Sequence, residues 1–261
     1  MRGATNAVFG LSEAEIKKGV ATHSSGNHAQ AVALAAKSRD AKAYIVMPKN
    51  APEVKVEAVK GYGAAITFCE PNQAAREAAL QQIVEETGAN FIHPYDDYRV
   101  IAGQATCGKE LIEEVPDLSV IMAPVGGGGL MAGTCLSALY LQPTAQLFGA
   151  EPTGADDAFR SLQQGVIQPS LQPDTIADGL LTSLGERNFP ILQQLLAEII
   201  TVTDEEIVAA MKLIYQRLKI VIEPSCATPL AAVLKQKGRF SGLKIGLILT
   251  GGNVDLQKLP F

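Results

Sequence analysis

Tryptophan is absent from the 261 residues, and aromatic residues make up only 5%. Stacking platforms for nucleobases need such side chains, so a single-strand nucleic-acid surface is not expected. A basic stripe is missing as well. Lys and Arg number 22 against 27 Asp and Glu, a formal net charge of −5, which argues against nucleic acid as a partner. No apolar run approaches the roughly 18 residues of a membrane span, so no membrane partner is expected. No apolar segment of secretory character follows Met1. The four cysteines, Cys69, Cys107, Cys135 and Cys226, contain no Cys-x-x-Cys pair. That excludes a disulfide framework and a zinc cluster, and implies free thiols in a reducing, cytoplasmic compartment.

What is present is a compact composition, 47% hydrophobic and 19% charged, with strands and helices in alternation. Short apolar runs at residues 19–23, 43–47, 65–69 and 90–92 read as buried strands. Helical stretches follow at 26–38, 52–61 and 72–87. Continuous apolar strands separated by helices imply a parallel sheet covered on both faces. A second series has strands at 119–125, 146–150, 199–202 and 244–249. Its helices are expected at 99–114, 130–141, 155–164, from 203 to about 218, and from Pro224 onward. Thr203 and Glu206 have the spacing of a capping box. The fold class is α/β, with two open parallel sheets and flanking helices. Residues 20–96 form the smaller domain; residues 1–19 and 97–261 form the larger.

Three loops carry chemistry-bearing residues. Ser24-Ser25-Gly26-Asn27-His28 lies between a strand and an Ala-rich helix. Its glycine allows a left-handed or tight backbone, and the helix start offers N–H groups to an anion. The alternative is an N-cap cluster closing a turn, but a cap needs only one such residue. Gly126-Gly127-Gly128-Gly129 follows a strand and opens a helix, a setting in which successive N–H groups form a nest for phosphate. Gly127-x-Gly129-x-x-Ala132, with Glu151 about 20 residues on, also fits a dinucleotide fingerprint, hence a nicotinamide oxidoreductase. Thr250-Gly251-Gly252-Asn253 presents a hydroxyl at the carboxyl end of the last strand. It reads alternatively as a type I′ or II turn.

Taken together, these loops and several shorter stretches resemble the serine racemase and threonine (serine) dehydratase family. These are pyridoxal-phosphate enzymes of the tryptophan-synthase-β fold type. The resemblance rests on Arg2-Gly3-Ala4-x-Asn6, His23 to Gln30, His93-Pro94-Tyr95-Asp96, Ile101-Ala102-Gly103-Gln104, Pro124 to Leu130, Ala177-Asp178-Gly179, Glu223-Pro224-Ser225 and Thr250 to Asp255. It spans the whole chain in order.

The resemblance implies deamination of L-serine or L-threonine to a 2-oxo acid and ammonia, serine racemisation, or both. It implies that Gly126, Gly127, Gly128 and Gly129 hold the cofactor phosphate, and that Asn27 meets the pyridoxal 3′ oxygen. Thr250 would meet the ring nitrogen, where relatives commonly have Ser. Ser24, Asn27 and His28 would hold the substrate carboxylate. Ser25 matches the serine that exchanges a proton on the face opposite the catalytic lysine. Glu151, Ala155 (through its carbonyl) and Asp157 match a divalent-cation site suited to Mg²⁺ or Ca²⁺. A homodimer is implied as well.

One element departs from the family. Its motif is Ser-x-Lys-x-Arg-Gly-Ala, and here Met1 stands just before Arg2 with no lysine ahead of it. That lysine is the Schiff-base residue. The chain as given is therefore expected to be an N-terminally truncated, inactive form; a non-catalytic cofactor-binding protein or partner subunit is the alternative.

Overall fold

The computed structural model describes residues 1–24, 26–51 and 53–261, so Ser25 and Pro52 lie outside the described residues. The chain divides into two compact units, Met1–Gly103 and Gln104–Phe261.

The first unit runs α1 (Arg2–Phe9), α2 (Glu13–Ile16), β1 (Val20–His23), α3 (Asn27–Lys37), β2 (Ala43–Pro48), α4 (Glu53–Gly61), β3 (Ala65–Cys69), α5 (Gln73–Thr87) and β4 (Asn90–Phe91). Its strands are all parallel, in the order β3-β2-β1-β4. α3 is nearly all Ala on its buried positions, which favours helix and lets neighbours approach closely. Ala4, Ala7 and Val8 of α1 join α3 in one buried core. Arg39 fastens the turn that follows α1. Its Nη1 donates to the carbonyls of Val8, Phe9 and Leu11, and its Nη2 pairs with Glu13 at 2.6 Å. Residues 1–19, grouped with the larger domain on sequence, thus fold onto the first unit.

α6 (Tyr98–Glu114) runs across the boundary at Gly103 and Gln104. The second unit continues with β5 (Val120–Pro124), α7 (Gly129–Leu141), β6 (Gln146–Pro152), α8 (Asp157–Gln164), α9 (Asn188–Leu195), β7 (Glu198–Val202), α10 (Asp204–Leu218), α11 (Pro224–Lys235) and β8 (Ile245–Leu247). Its strands are again parallel, in the order β7-β6-β5-β8. Phe148, Met122, Ile207 and Met211 are fully buried in its core. The Thr203–Glu206 capping box forms as its spacing requires.

Each sheet has the same internal plan. The first strand is interior, the next two extend to one side of it, and the fourth lies on the other. The chain direction therefore switches beside β1 and beside β5. In open parallel sheets, ligands bind outside the carboxyl ends of the strands at such a switch point. The Ser24 loop leaves β1 there, and the glycine run leaves β5 there. Among the described residues, no helix is long and apolar enough to cross a membrane.

Candidate active site

In the first unit, the loop after β1 is fastened from below. Ser24 N–H donates to Val46 O at 3.1 Å, continuing the strand pairing, and Gly26 N–H donates to Ser24 Oγ at 3.3 Å. Gly26 has φ −138°, not a left-handed value, and among the described residues a Cβ there would meet only Lys55 Nζ at 3.8 Å. Of the left-handed or tight backbone expected at this glycine, the left-handed alternative is therefore corrected. Asn27 is exposed at the start of α3, the end at which a helix has N–H donors to spare.

His28 is committed elsewhere. Its Nε2 donates to Ile92 O at 3.1 Å, a carbonyl that also accepts from Thr22 Oγ1 at 2.8 Å. Burial holds its imidazole down at about 4, so the ring is neutral at physiological pH. Its side chain thus ties α3 to the end of β4, and its backbone N–H lies in the first turn of α3. Ser25 lies outside the described residues.

Beside this loop is a cluster that the sequence shows only as a His-Pro-Tyr-Asp motif. His93 packs edge-on against Tyr95 at 4.7 Å, and His23 stacks on Phe91 at 5.8 Å. His93 Nδ1 accepts from Asp96 N–H at 2.9 Å, which leaves the ring proton on Nε2. Burial, with His93 adding to it, brings His23 down to about 4.

In the second unit the glycine run is buried against the segment that leads into α9. Gly127 O accepts from Asn188 Nδ2 at 2.7 Å and from Gly185 N–H at 3.1 Å. Gly128 has φ +90°, and a Cβ on it would lie 3.0 Å from both Asn188 Cβ and Leu184 Cδ2. A Cβ on Gly126 would lie 3.0 Å from Leu180 Cα. These two glycines are required by conformation and by close packing. Among the described residues, the N–H groups of Gly126, Gly127 and Gly128 donate to no protein acceptor. Buried N–H groups are nearly always paired, so three in succession at the head of α7 fit an anion.

The motifs that are distant in sequence meet here. The turn at Asp178–Leu180 touches Gly126 on one side. On the other, Gly179 N–H donates to Ser225 Oγ at 3.0 Å, at the head of α11. Glu223 N–H donates to Gly251 O at 3.0 Å, and Glu223 Oε2 accepts from Asn253 N–H at 3.2 Å. Neither Gly251 nor Gly252 has a positive φ, so the stretch is not the type I′ or II turn that its sequence allows. Gly251 is required by proximity instead: a Cβ there would come within 2.3 Å of Glu223 Oε1. Thr250 is exposed at this junction, with Cys226 Sγ 3.6 Å from its hydroxyl.

The acidic group lies around α8. Glu151, at the end of β6, is buried; its two carboxylate oxygens accept from Ala158 N–H at 3.0 Å and Phe159 N–H at 2.8 Å. It therefore caps α8 and is not presented to a ribose, which removes the support for the dinucleotide reading. Burial, with the Asp157 carboxylate adding to it, pushes Glu151 up to about 9. Asp157 is also buried, and burial pushes it up to about 6 against the opposing pull of the Ser170 side chain. Ala155 is buried in the 3₁₀ turn between them. Among the described residues, no group of three or more His, Cys, Asp or Glu side chains has metal-site geometry.

A family model described as "Pyridoxal-phosphate dependent enzyme" matches residues 1–251. The chain is 51% identical over 261 residues to the beta-hydroxyaspartate dehydratase of Paracoccus denitrificans (strain Pd 1222), covering 100% of this chain and 83% of that one. The crystal structure of serine racemase from Dictyostelium discoideum superposes with a TM-score of 0.92 at 51% identity, over 98% of this chain and 83% of that chain. The crystal structure of T.th. threonine deaminase gives a TM-score of 0.91 at 43% identity, over 97% of this chain and 82% of that chain.

Proposed function

The chain belongs to the pyridoxal-phosphate dependent enzyme family, in the branch of serine racemases and threonine dehydratases, and on that premise we propose a function in β-hydroxy amino-acid chemistry. The reaction is deamination of L-serine or L-threonine to a 2-oxo acid and ammonia, with serine racemisation as its companion. The observation that carries this reading is the run of buried N–H donors at Gly126, Gly127 and Gly128.

The residues fit the cofactor. The glycine N–H groups and the amino end of α7 receive its phosphate, and the Thr250 hydroxyl meets its ring nitrogen. Asn27 meets the 3′ oxygen. Once bound, pyridoxal phosphate supplies an electron sink for the electrons released when a substrate α-proton leaves. Ser24, Asn27 and the backbone N–H of His28 hold the substrate carboxylate. Ser25 exchanges a proton at the substrate Cα. A hydroxyl at the ring nitrogen, in place of a carboxylate, moderates the sink, which suits loss of a β-hydroxyl or return of the α-proton.

A divalent cation, Mg²⁺ or Ca²⁺, is part of the same reading. Glu151, the Ala155 carbonyl and Asp157 supply oxygen ligands only, the chemistry such cations take. Two buried carboxyls with raised pKa values support a site of this kind, since a cation would stabilise their charged forms.

A homodimer completes the reading and is checked by sedimentation. Ammonia release from L-serine and L-threonine by the pure chain with added cofactor tests the rest. Release of ammonia supports the deamination, and no release from a preparation that retains the cofactor overturns it. An unchanged cofactor affinity in Asn27→Ala removes the role given to Asn27.

A further inference from the structure

We propose that Cys226 is a positioning residue that fixes the proton of the Thr250 hydroxyl, so that Thr250 donates to the cofactor's ring nitrogen and keeps it unprotonated. This rests on the reading that Thr250 meets that nitrogen.

The argument is a count of donors and acceptors. Cys226 is 1% exposed, in the first turn of α11. Its sulfur accepts from Gly251 N–H at 2.7 Å and from Thr250 N–H at 3.3 Å, which occupies both lone pairs. Thr250 Oγ1 lies 3.6 Å away, within hydrogen-bond range of sulfur. Burial, with the Glu223 carboxylate adding to it, pushes the thiol above the ordinary cysteine range, so it keeps its proton. The one group left on Cys226 to face Thr250 Oγ1 is therefore S–H, a donor. The hydroxyl accepts from it and turns its own proton away from sulfur. Thr250 is exposed, so that proton is left for a ligand that meets its hydroxyl.

The consequence is chemical. A donor aimed at a pyridine nitrogen stabilises the neutral ring; an acceptor there stabilises the protonated ring. A freely rotating hydroxyl can do either. With Cys226 in place it can do only the first. A thiol at this position selects the weaker of two possible electron sinks without touching the cofactor.

The test uses pyridoxal 5′-phosphate labelled with ¹⁵N in the ring, bound to the full chain and followed by NMR from pH 6 to pH 9. In the parent chain the ring nitrogen stays unprotonated. In Cys226→Ala the hydroxyl is released and the ring-nitrogen pKa rises by about one unit, the size of one hydrogen bond. Cys226→Ser, which keeps a donor, stays with the parent; a merely structural cysteine would not be rescued in this readout. A Cys226→Ala titration that overlays the parent overturns the proposal.

The Raman S–H stretch, read without cofactor, tests the direction of the bond separately. The band lost in Cys226→Ala shifts to higher frequency in Thr250→Val; a band that stays put overturns the proposal. Failure of the parent chain to retain the labelled cofactor overturns the cofactor reading, and the assigned role falls with it, while the Raman band still reports which group donates.

Discussion

The two loops at the switch points, one after β1 and one after β5, occupy the same position in two sheets of the same plan and solve it oppositely. The first is built largely from side chains, Ser24 and Asn27, around a glycine that no contact among the described residues requires. The second is built from backbone: Gly126, Gly127 and Gly128 offer N–H groups, and Gly126 and Gly128 have no room for a side chain. The first is anchored by strand pairing at Ser24 and by an imidazole bond at His28. The second is held by packing against Leu180, Leu184 and Asn188. A side-chain loop can be tuned for a small, variable substrate. A backbone loop binds an invariant group such as a phosphate, and tolerates little change.

The contrast breaks first at Gly128. Gly128→Ala puts a Cβ at φ +90° and 3.0 Å from two neighbours. Strain and overpacking together cost about 2–4 kcal/mol in denaturant unfolding, and cofactor retention is lost. A fully stable variant that still holds cofactor contradicts the assignment of the phosphate to this loop.

The next largest effect is on pH dependence, and it belongs to the second unit alone. Glu151 and Asp157 have folded pKa values raised to about 9 and about 6, above ordinary values of 4.5 and 3.8. The folded chain therefore holds more protons than the unfolded one, and stability falls as pH rises through these ranges. Glu151→Gln flattens the upper part of the slope, which extends from 4.5 to about 9. Mg²⁺ or Ca²⁺ raises the melting temperature more at pH 8 than at pH 6, since the charged carboxylates are its ligands. A cation effect that ignores pH removes the proposed site.

Smaller changes follow at single contacts. Asn27→Ala and Thr250→Ala each weaken pyridoxal phosphate binding about threefold to tenfold, the size of one hydrogen bond, read by fluorescence titration. The smallest effect is at Gly26. Among the described residues the new methyl of Gly26→Ala meets only Lys55 Nζ, at an ordinary contact distance of 3.8 Å, and changes stability by less than about 0.5 kcal/mol. A loss there as large as at Gly128 would erase the contrast between the loops.

Most of this frame was legible in the residues, because apolar strand runs and capping pairs are local signals. β3 at Ala65–Cys69 and the Thr203 cap need no knowledge of the rest of the chain. α9 was not legible: Pro190 stands three residues into it, where proline usually signals a loop. It is tolerated because first-turn N–H groups have no helical partner to lose. α2 carried a readable signal, Ser12 with Glu15, in a capping box that forms.

The reasons behind the glycines were hidden, since a sequence does not show that Gly251 faces Glu223 or that Gly26 faces little. Nor does it show that His28 turns its ring to Ile92, or that Cys226 reaches the Thr250 hydroxyl. Those depend on contacts between residues 24 to 64 positions apart.

The measurement that tests the central claim most directly is retention of pyridoxal phosphate by the purified chain after dialysis, with NADH as competitor, in the parent and in Gly128→Ala. The account predicts a bound cofactor that survives dialysis, is not displaced by NADH, and is lost in the variant. Tight NADH binding with no affinity for pyridoxal phosphate would contradict it.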